Sequence, residues 1–140
     1  MRYIVLAGRG LYAAIFVMAS LGHFSQQAIA YAASQGGPLA ALAVPLSGIV
    51  ALVGGLSVLV GYRARIGAAL LVLFLVPVTL VMHAFWAVHD PWVAQVQQIL
   101  FMKNVSLIGA ALFVAYFGAG PLSLDARASV RASSPARAIA

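Results

Sequence analysis

Residues 66–86, Ile66–Trp86, read IGAALLVLFLVPVTLVMHAFW, with no Asp, Glu, Lys or Arg across the 21 positions. An α-helix needs about 20 such residues to cross the hydrocarbon layer of a bilayer. The polar side chains gather in the last turns, so His83 and Trp86 belong near one water boundary. Working outward, three more apolar stretches of similar length appear, over about residues 2–27, 39–61 and 91–118.

The whole chain fits that reading. Of its 140 residues 64% are hydrophobic and 7% charged, with a mean hydropathy of +1.06, against roughly 25% charged residues in soluble domains. The expected fold is an all-α membrane protein, a four-transmembrane-helix bundle over residues 1–125. Residues 126–140, rich in Ser, Ala, Arg and Pro, read as a mobile basic cytoplasmic tail. No length remains for a soluble catalytic domain. The absence of cysteine excludes disulfides, thiolate metal sites and iron–sulfur clusters. Arg9 interrupts the first apolar stretch and no clear small-residue cleavage site follows Leu21, so this stretch reads as a retained helix rather than a signal peptide.

A net charge of +6 would point to nucleic acid in a soluble protein. Here the cations flank apolar spans, and no nucleic-acid partner is expected. Four crossings place both termini and the second connection on one side, which collects Arg2, Arg63, Arg65, Arg127, Arg131 and Arg137. The first and third connections hold no Lys or Arg. The positive-inside rule then makes both termini cytoplasmic in a bacterial-type inner (plasma) membrane.

The second span repeats small residues (Ser47, Gly48, Ala51, Gly54, Gly55, Ser57), a pattern that lets membrane helices approach closely. Asp90-Pro91 reads as an N-cap with proline in the first turn of the fourth span. Polar residues fall into two layers. In the outer one, Lys103 and Asn104, His23 and His83 come from three helices, with Trp86 at the rim, and the expectation is an outward cavity. A membrane-embedded ammonium costs about 2.5–3.5 kcal/mol on insertion scales unless paired or snorkelling. Snorkelling of Lys103 and an interfacial aromatic belt are the alternatives to a ligand site. A metal site is set aside because His83 and His89 lack the i,i+4 spacing of a helical ligand pair. A haem between His23 and His83 is set aside because both lie near helix ends. In the inner layer, Arg9 has no nearer acid than Asp125, and the expectation is a structural ion pair that holds the C-terminal turn under the first helix.

Arg9 with His23-Phe24, the small-residue second span ending in Gly61-Tyr62-Arg63-Ala64-Arg65, Phe101-Met102-Lys103-Asn104, and the closing Gly118-Ala119-Gly120-Pro121-Leu122-Ser123-Leu124-Asp125 together resemble the DoxX family of small four-helix membrane proteins, over about residues 2–125. The Lys-Asn pair and the glycine–proline closure are the more specific parts. The resemblance implies Arg9, Lys103, Asn104 and Asp125 as family positions; the histidines are not carried over. Some relatives are linked to quinone-reducing oxidation of sulfur compounds or to membrane oxidoreductase assemblies. With the outer polar cluster, this gives the functional expectation of a quinone-interacting or accessory subunit of a membrane redox system, within a larger complex or a homo-oligomer. The alternatives are a purely structural subunit and a small-solute permease.

The charge count yields a direct test of orientation. Single cysteines placed at Gln35 and at His89 are expected to react with an impermeant maleimide from outside intact cells; labelling from the cytoplasmic side alone would reverse the topology.

Overall fold

The computed structural model describes residues 1–133; residues 134–140, and with them Arg137 and the end of the expected tail, lie outside the described part. In chain order the helices are α1 (Arg2–Gly22), α2 (Gln26–Ser34), α3 (Ala40–Val60), α4 (Ala64–Met82), α5 (Pro91–Phe117) and α6 (Leu124–Ser133), with one 3₁₀ turn at Phe85–Ala87. Helices α1, α3 and α5, and α4 with the turn that follows it, are long and apolar enough to cross a membrane. Among the described residues there is no strand, and the protein is an all-α, four-span bundle.

The spanning helices pack in the order α1, α3, α4, α5. The Tyr12 hydroxyl of α1 then donates to the Leu107 carbonyl of α5 at 3.1 Å, which joins the first and last members. At the centre, Phe16, Leu71, Phe74 and Leu75 close over Ala13, Ala51 and Ala68, with Phe16 and Phe74 edge to face at 6.4 Å.

Helix α3 occupies the middle because its buried face is almost side-chain-free: Ala40, Gly48, Ala51, Gly54, Gly55 and Val58. A Cβ on Gly55 would stand 3.1 Å from the Phe16 Cβ of α1, and one on Gly54 would stand 2.9 Å from the Gly67 carbonyl oxygen of α4. Backbones therefore meet on both sides of α3. Lipid tails are as apolar as leucine, so this contact area, rather than a hydrophobic driving force, holds the helices together.

Two parts of the chain differ from the sequence reading. The first helix ends at Gly22 instead of continuing to Gln27, because Ser25 starts a new helix: its hydroxyl accepts the Ala28 N–H at 3.2 Å, a side-chain N-cap. The resulting α2 packs on α3. The first part of the expected tail, residues 126–133, continues a helix that starts at Leu124, since Ser123 caps α6 by accepting the Ala126 N–H at 3.1 Å and Asp125 sits in its first turn.

Helix α5 starts where Asp90 accepts the Val93 N–H at 2.9 Å. It is the least covered spanning helix. Only Asn104 and Ala111 are buried, and 11% of its apolar window lies inside the protein against 22–28% for the others.

Gly67→Ala tests the close approach of α3 and α4. The added methyl would stand 2.5 Å from the Ser57 Oγ and 3.0 Å from the Gly54 carbonyl oxygen, and overpacking of this kind costs about 1–3 kcal/mol. A clear fall in the thermal unfolding midpoint in detergent is expected. Gly109→Ala, which meets nothing within 4 Å, is expected to leave the midpoint unchanged or raise it slightly.

Candidate functional site

At the end of the bundle that carries Arg63 and Arg65, α3 stops at Gly61, which takes φ +68°. The Tyr62 N–H bonds to the Ser57 carbonyl at 3.0 Å and the Gly61 N–H to the Val58 carbonyl at 3.2 Å, the pairing of a Schellman motif. The next carbonyl, Leu59, accepts Arg9 Nε at 3.2 Å. The same guanidinium donates to the Ala119 carbonyl at 2.7 Å and the Leu122 carbonyl at 3.0 Å. Arg9 is 6% exposed, so its charge is removed from solvent and matched by carbonyl dipoles at the negative end of α3 and in the loop after α5.

Asp125 does the complementary work. Its carboxylate accepts the Arg63 N–H at 2.7 Å and the Ala64 N–H at 3.0 Å, while its own N–H donates to the Gly61 carbonyl at 2.8 Å. It thus caps α4 from a distant part of the chain and supports Arg63 in a left-handed conformation, φ +47°. The expected ion pair is corrected accordingly. Arg9 and Asp125 attract through space, but each forms its hydrogen bonds with backbone, because two helix ends meeting at one turn offer unsatisfied carbonyls and N–H groups closer at hand. Gly61 is central to this clamp: a Cβ there would run into the Ser123 Cβ and stand 3.0 Å from Arg9 Nη1.

The opposite end does not gather Lys103, Asn104, His23, His83 and Trp86 into one cavity. His23 follows α1 directly, with its Nδ1 2.9 Å from the Ala19 carbonyl, its ring edge to face with Phe74 at 5.6 Å, and its Cβ over Gly48. It lines a cleft of about 300 Å³ with Tyr31 of α2 and Ser47 of α3. That cleft shares Ala32, Val44, Ser47, Val78 and Met82 with a second lobe, also about 300 Å³, between α3 and α4. The walls are almost wholly apolar.

His83, Trp86, Lys103 and Asn104 belong to the α4–α5 side. His83 Nδ1 pairs with Gln97 Oε1 at 2.8 Å, which fastens the end of α4 to α5. Trp86 packs edge to face on Phe101 at 5.8 Å and is 60% exposed. Asn104 is buried, at 5% exposure, while Lys103 beside it is exposed. A one-residue step along a helix turns the side chain by about 100°, so neighbours in sequence point to different faces. Gln97, Tyr31 and Ser47 were not among the expected site residues. For Tyr31 the overlooked signal was Ser25, an N-cap residue ahead of Gln26–Ser34, and Gln97 carried none beyond its position near the start of α5.

The fold and these sites define a small multi-pass membrane protein with a polar clamp at one end and an apolar cleft at the other. The chain belongs to the SURF4 family, whose model matches residues 2–129. It is similar to inner membrane protein YphA of Escherichia coli (strain K12), with 30% identity over 99 residues that cover 71% of this chain and 70% of the relative. No solved structure matches it. The resemblance to DoxX proteins is therefore corrected. The residues that carried it, Gly61, the Gly118–Asp125 closure and Arg9 among them, build the turn and clamp of a four-helix bundle, a structural task that does not single out one family.

Because Arg9 and Asp125 work through different partners, Arg9→Met and Asp125→Ala are each expected to lower stability, by about 1–3 kcal/mol per stranded set of backbone groups. The double variant should be less stable than either single one. For a simple ion pair the second substitution would add little, and thermal or denaturant unfolding of the three variants in detergent separates the two cases.

Proposed function

We propose that this chain is an inner-membrane, quinone-interacting accessory subunit whose ligand occupies the cleft between α1, α2, α3 and α4, with both termini in the cytoplasm. The observation that supports this reading is the two-lobed apolar cleft with His23 at one wall. Small-molecule sites combine mostly apolar walls with a few polar groups, in volumes from about 300 Å³ upward. The reading rests on this cleft and no longer on the outer cluster around Lys103.

The polar groups suit a quinone head. A carbonyl can only accept, so the contact with Ala19 puts the His23 proton on Nδ1 and leaves neutral Nε2 as an acceptor for a quinol hydroxyl. Tyr31 and Ser47 add hydroxyls to the same wall. Pro77 and Leu73 both line the second lobe, and since proline has no N–H the Leu73 carbonyl loses its helical donor. The isoprenoid tail would follow the apolar side chains toward lipid.

One observation favours the structural-subunit reading as a second choice. The outward face of α5 is uncovered, and Lys103 lies exposed on it. Asp90 and Asp125 both serve as helix caps, so a carboxylate for Lys103 would have to come from another protein. The permease reading is less favoured, since Phe16, Leu71, Phe74 and Leu75 fill the middle of the bundle.

Binding of a short-tailed quinone to the purified protein, measured by calorimetry, tests the proposal. Val44 lines both lobes, and Val44→Phe is expected to abolish binding while Lys103→Met binds as wild type. Absence of binding to wild type, or equal binding by Val44→Phe, would reject the quinone site and leave the structural-subunit reading.

A further inference from the structure

The clamp end carries a second cavity, of about 470 Å³, between the start of α4, the end of α5 and the first turns of α6. Arg63 and Arg65 line it together with Ile66, Phe117, Asp125 and Ser129. Both arginines are exposed. Arg65 lies beside the loop, its Nε 3.5 Å from where a Cβ on Gly118 would be, and among the described residues it has no hydrogen-bond or ion-pair partner.

The single carboxylate in this cavity does not neutralise it. Both Asp125 oxygens accept backbone N–H groups of Arg63 and Ala64, and the chain's other acid, Asp90, caps α5 at the far end. Two guanidinium groups against one committed carboxylate leave the cavity net positive. Arginine presents five N–H donors in a planar fork that fits phosphate oxygens.

The apolar wall is equally informative. Phe117 is 70% exposed and Ile66 is 56% exposed. Phe113, one turn deeper along α5, stacks on Phe117 at 6.3 Å with an interplanar angle of 21°. An apolar track thus runs from the cavity into the membrane-spanning part of α5, while the arginines stay at its water-facing end.

From this arrangement we infer that the cavity binds the phosphate of an anionic phospholipid between Arg63 and Arg65, with an acyl chain lying along Phe117 and Phe113. Basic pockets beside membrane helices recognise lipid headgroups through the same combination of charge and apolar track. The cations serve a headgroup without a compensating positive charge better than a zwitterionic one. The site lies at the opposite end from the His23 cleft, so it stands or falls independently of the proposed quinone function.

Native mass spectrometry of the full chain from a non-ionic detergent, titrated with phosphatidylglycerol or phosphatidylcholine, tests the inference. Wild type is expected to retain phosphatidylglycerol preferentially, and Arg65→Gln to weaken that retention about fivefold, the effect of one cation at a membrane surface. Arg65→Lys should restore part of it. Arg127→Gln, which removes an equal charge outside the cavity, should have no effect. The inference is overturned if Arg65→Gln and Arg127→Gln weaken binding alike, which would make the attraction one of general surface charge. It is also overturned if wild type holds both lipids equally, or if inorganic phosphate at the lipid's concentration displaces phosphatidylglycerol, which would make a soluble anion the occupant.

Discussion

A guanidinium buried about 10 Å along a membrane helix, at 1.5 Å per residue, has to find its acceptors inside the protein. Arg9 finds three carbonyls: one at the end of α3 and two in the loop between α5 and α6. Those segments are separated by some 60 residues of chain, and the cation holds them against one another. Asp125 makes the reciprocal attachment, carrying a carboxylate from the start of α6 to the first N–H groups of α4. A cation at a helix C-terminus and an anion at a helix N-terminus are each favourable with the helix dipole. Together they fix the α3–α4 turn, and from that turn the two helices run with backbones in contact at Gly54 and Gly67.

The apolar cleft lies at the end opposite this clamp. At the other end α1 stops early and α2 packs on α3, leaving the apolar cleft that His23, Tyr31 and Ser47 border. Gly48 permits this arrangement, since a Cβ there would stand 2.6 Å from the His23 Cβ. The contrast has a physical basis. Arg9 and Asp125 are spent on backbone groups at the clamp, whereas the cleft is bounded by side chains that close packing has not filled.

Hydropathy and charge made the four spans legible, because a run such as Ile66–Trp86 has few stable settings other than lipid. The small-residue stripe of α3 likewise marked it as the helix that packs most closely. Three features were not legible. Helix α2 escaped because residues 23–27, His-Phe-Ser-Gln-Gln, hold no glycine or proline to mark the end of α1, and only Ser25, a single capping residue, records the break. The Arg9–Asp125 relation was misread because charge counting sees side chains and overlooks backbone groups at helix ends. The outer cluster was assembled from depth along the helices alone. Rotation about each axis then set His23 on the cleft beside α2 and α3, His83 against Gln97 of α5, and Lys103 and Asn104 on different faces of α5. The resemblance to DoxX proteins was carried by residues that perform general architectural tasks at the clamp.

Amide hydrogen exchange of the protein in lipid nanodiscs tests the clamp most directly. The N–H groups of Arg63 and Ala64 lie at the start of α4, where a helix has no partners of its own to offer. If Asp125 caps them as described, both should exchange slowly, on the scale of amides within α4, and Asp125→Ala should speed exchange at these two positions before it affects the rest of the helix. Exchange of Arg63 and Ala64 at the rate of free loop amides in the wild-type protein would contradict the account.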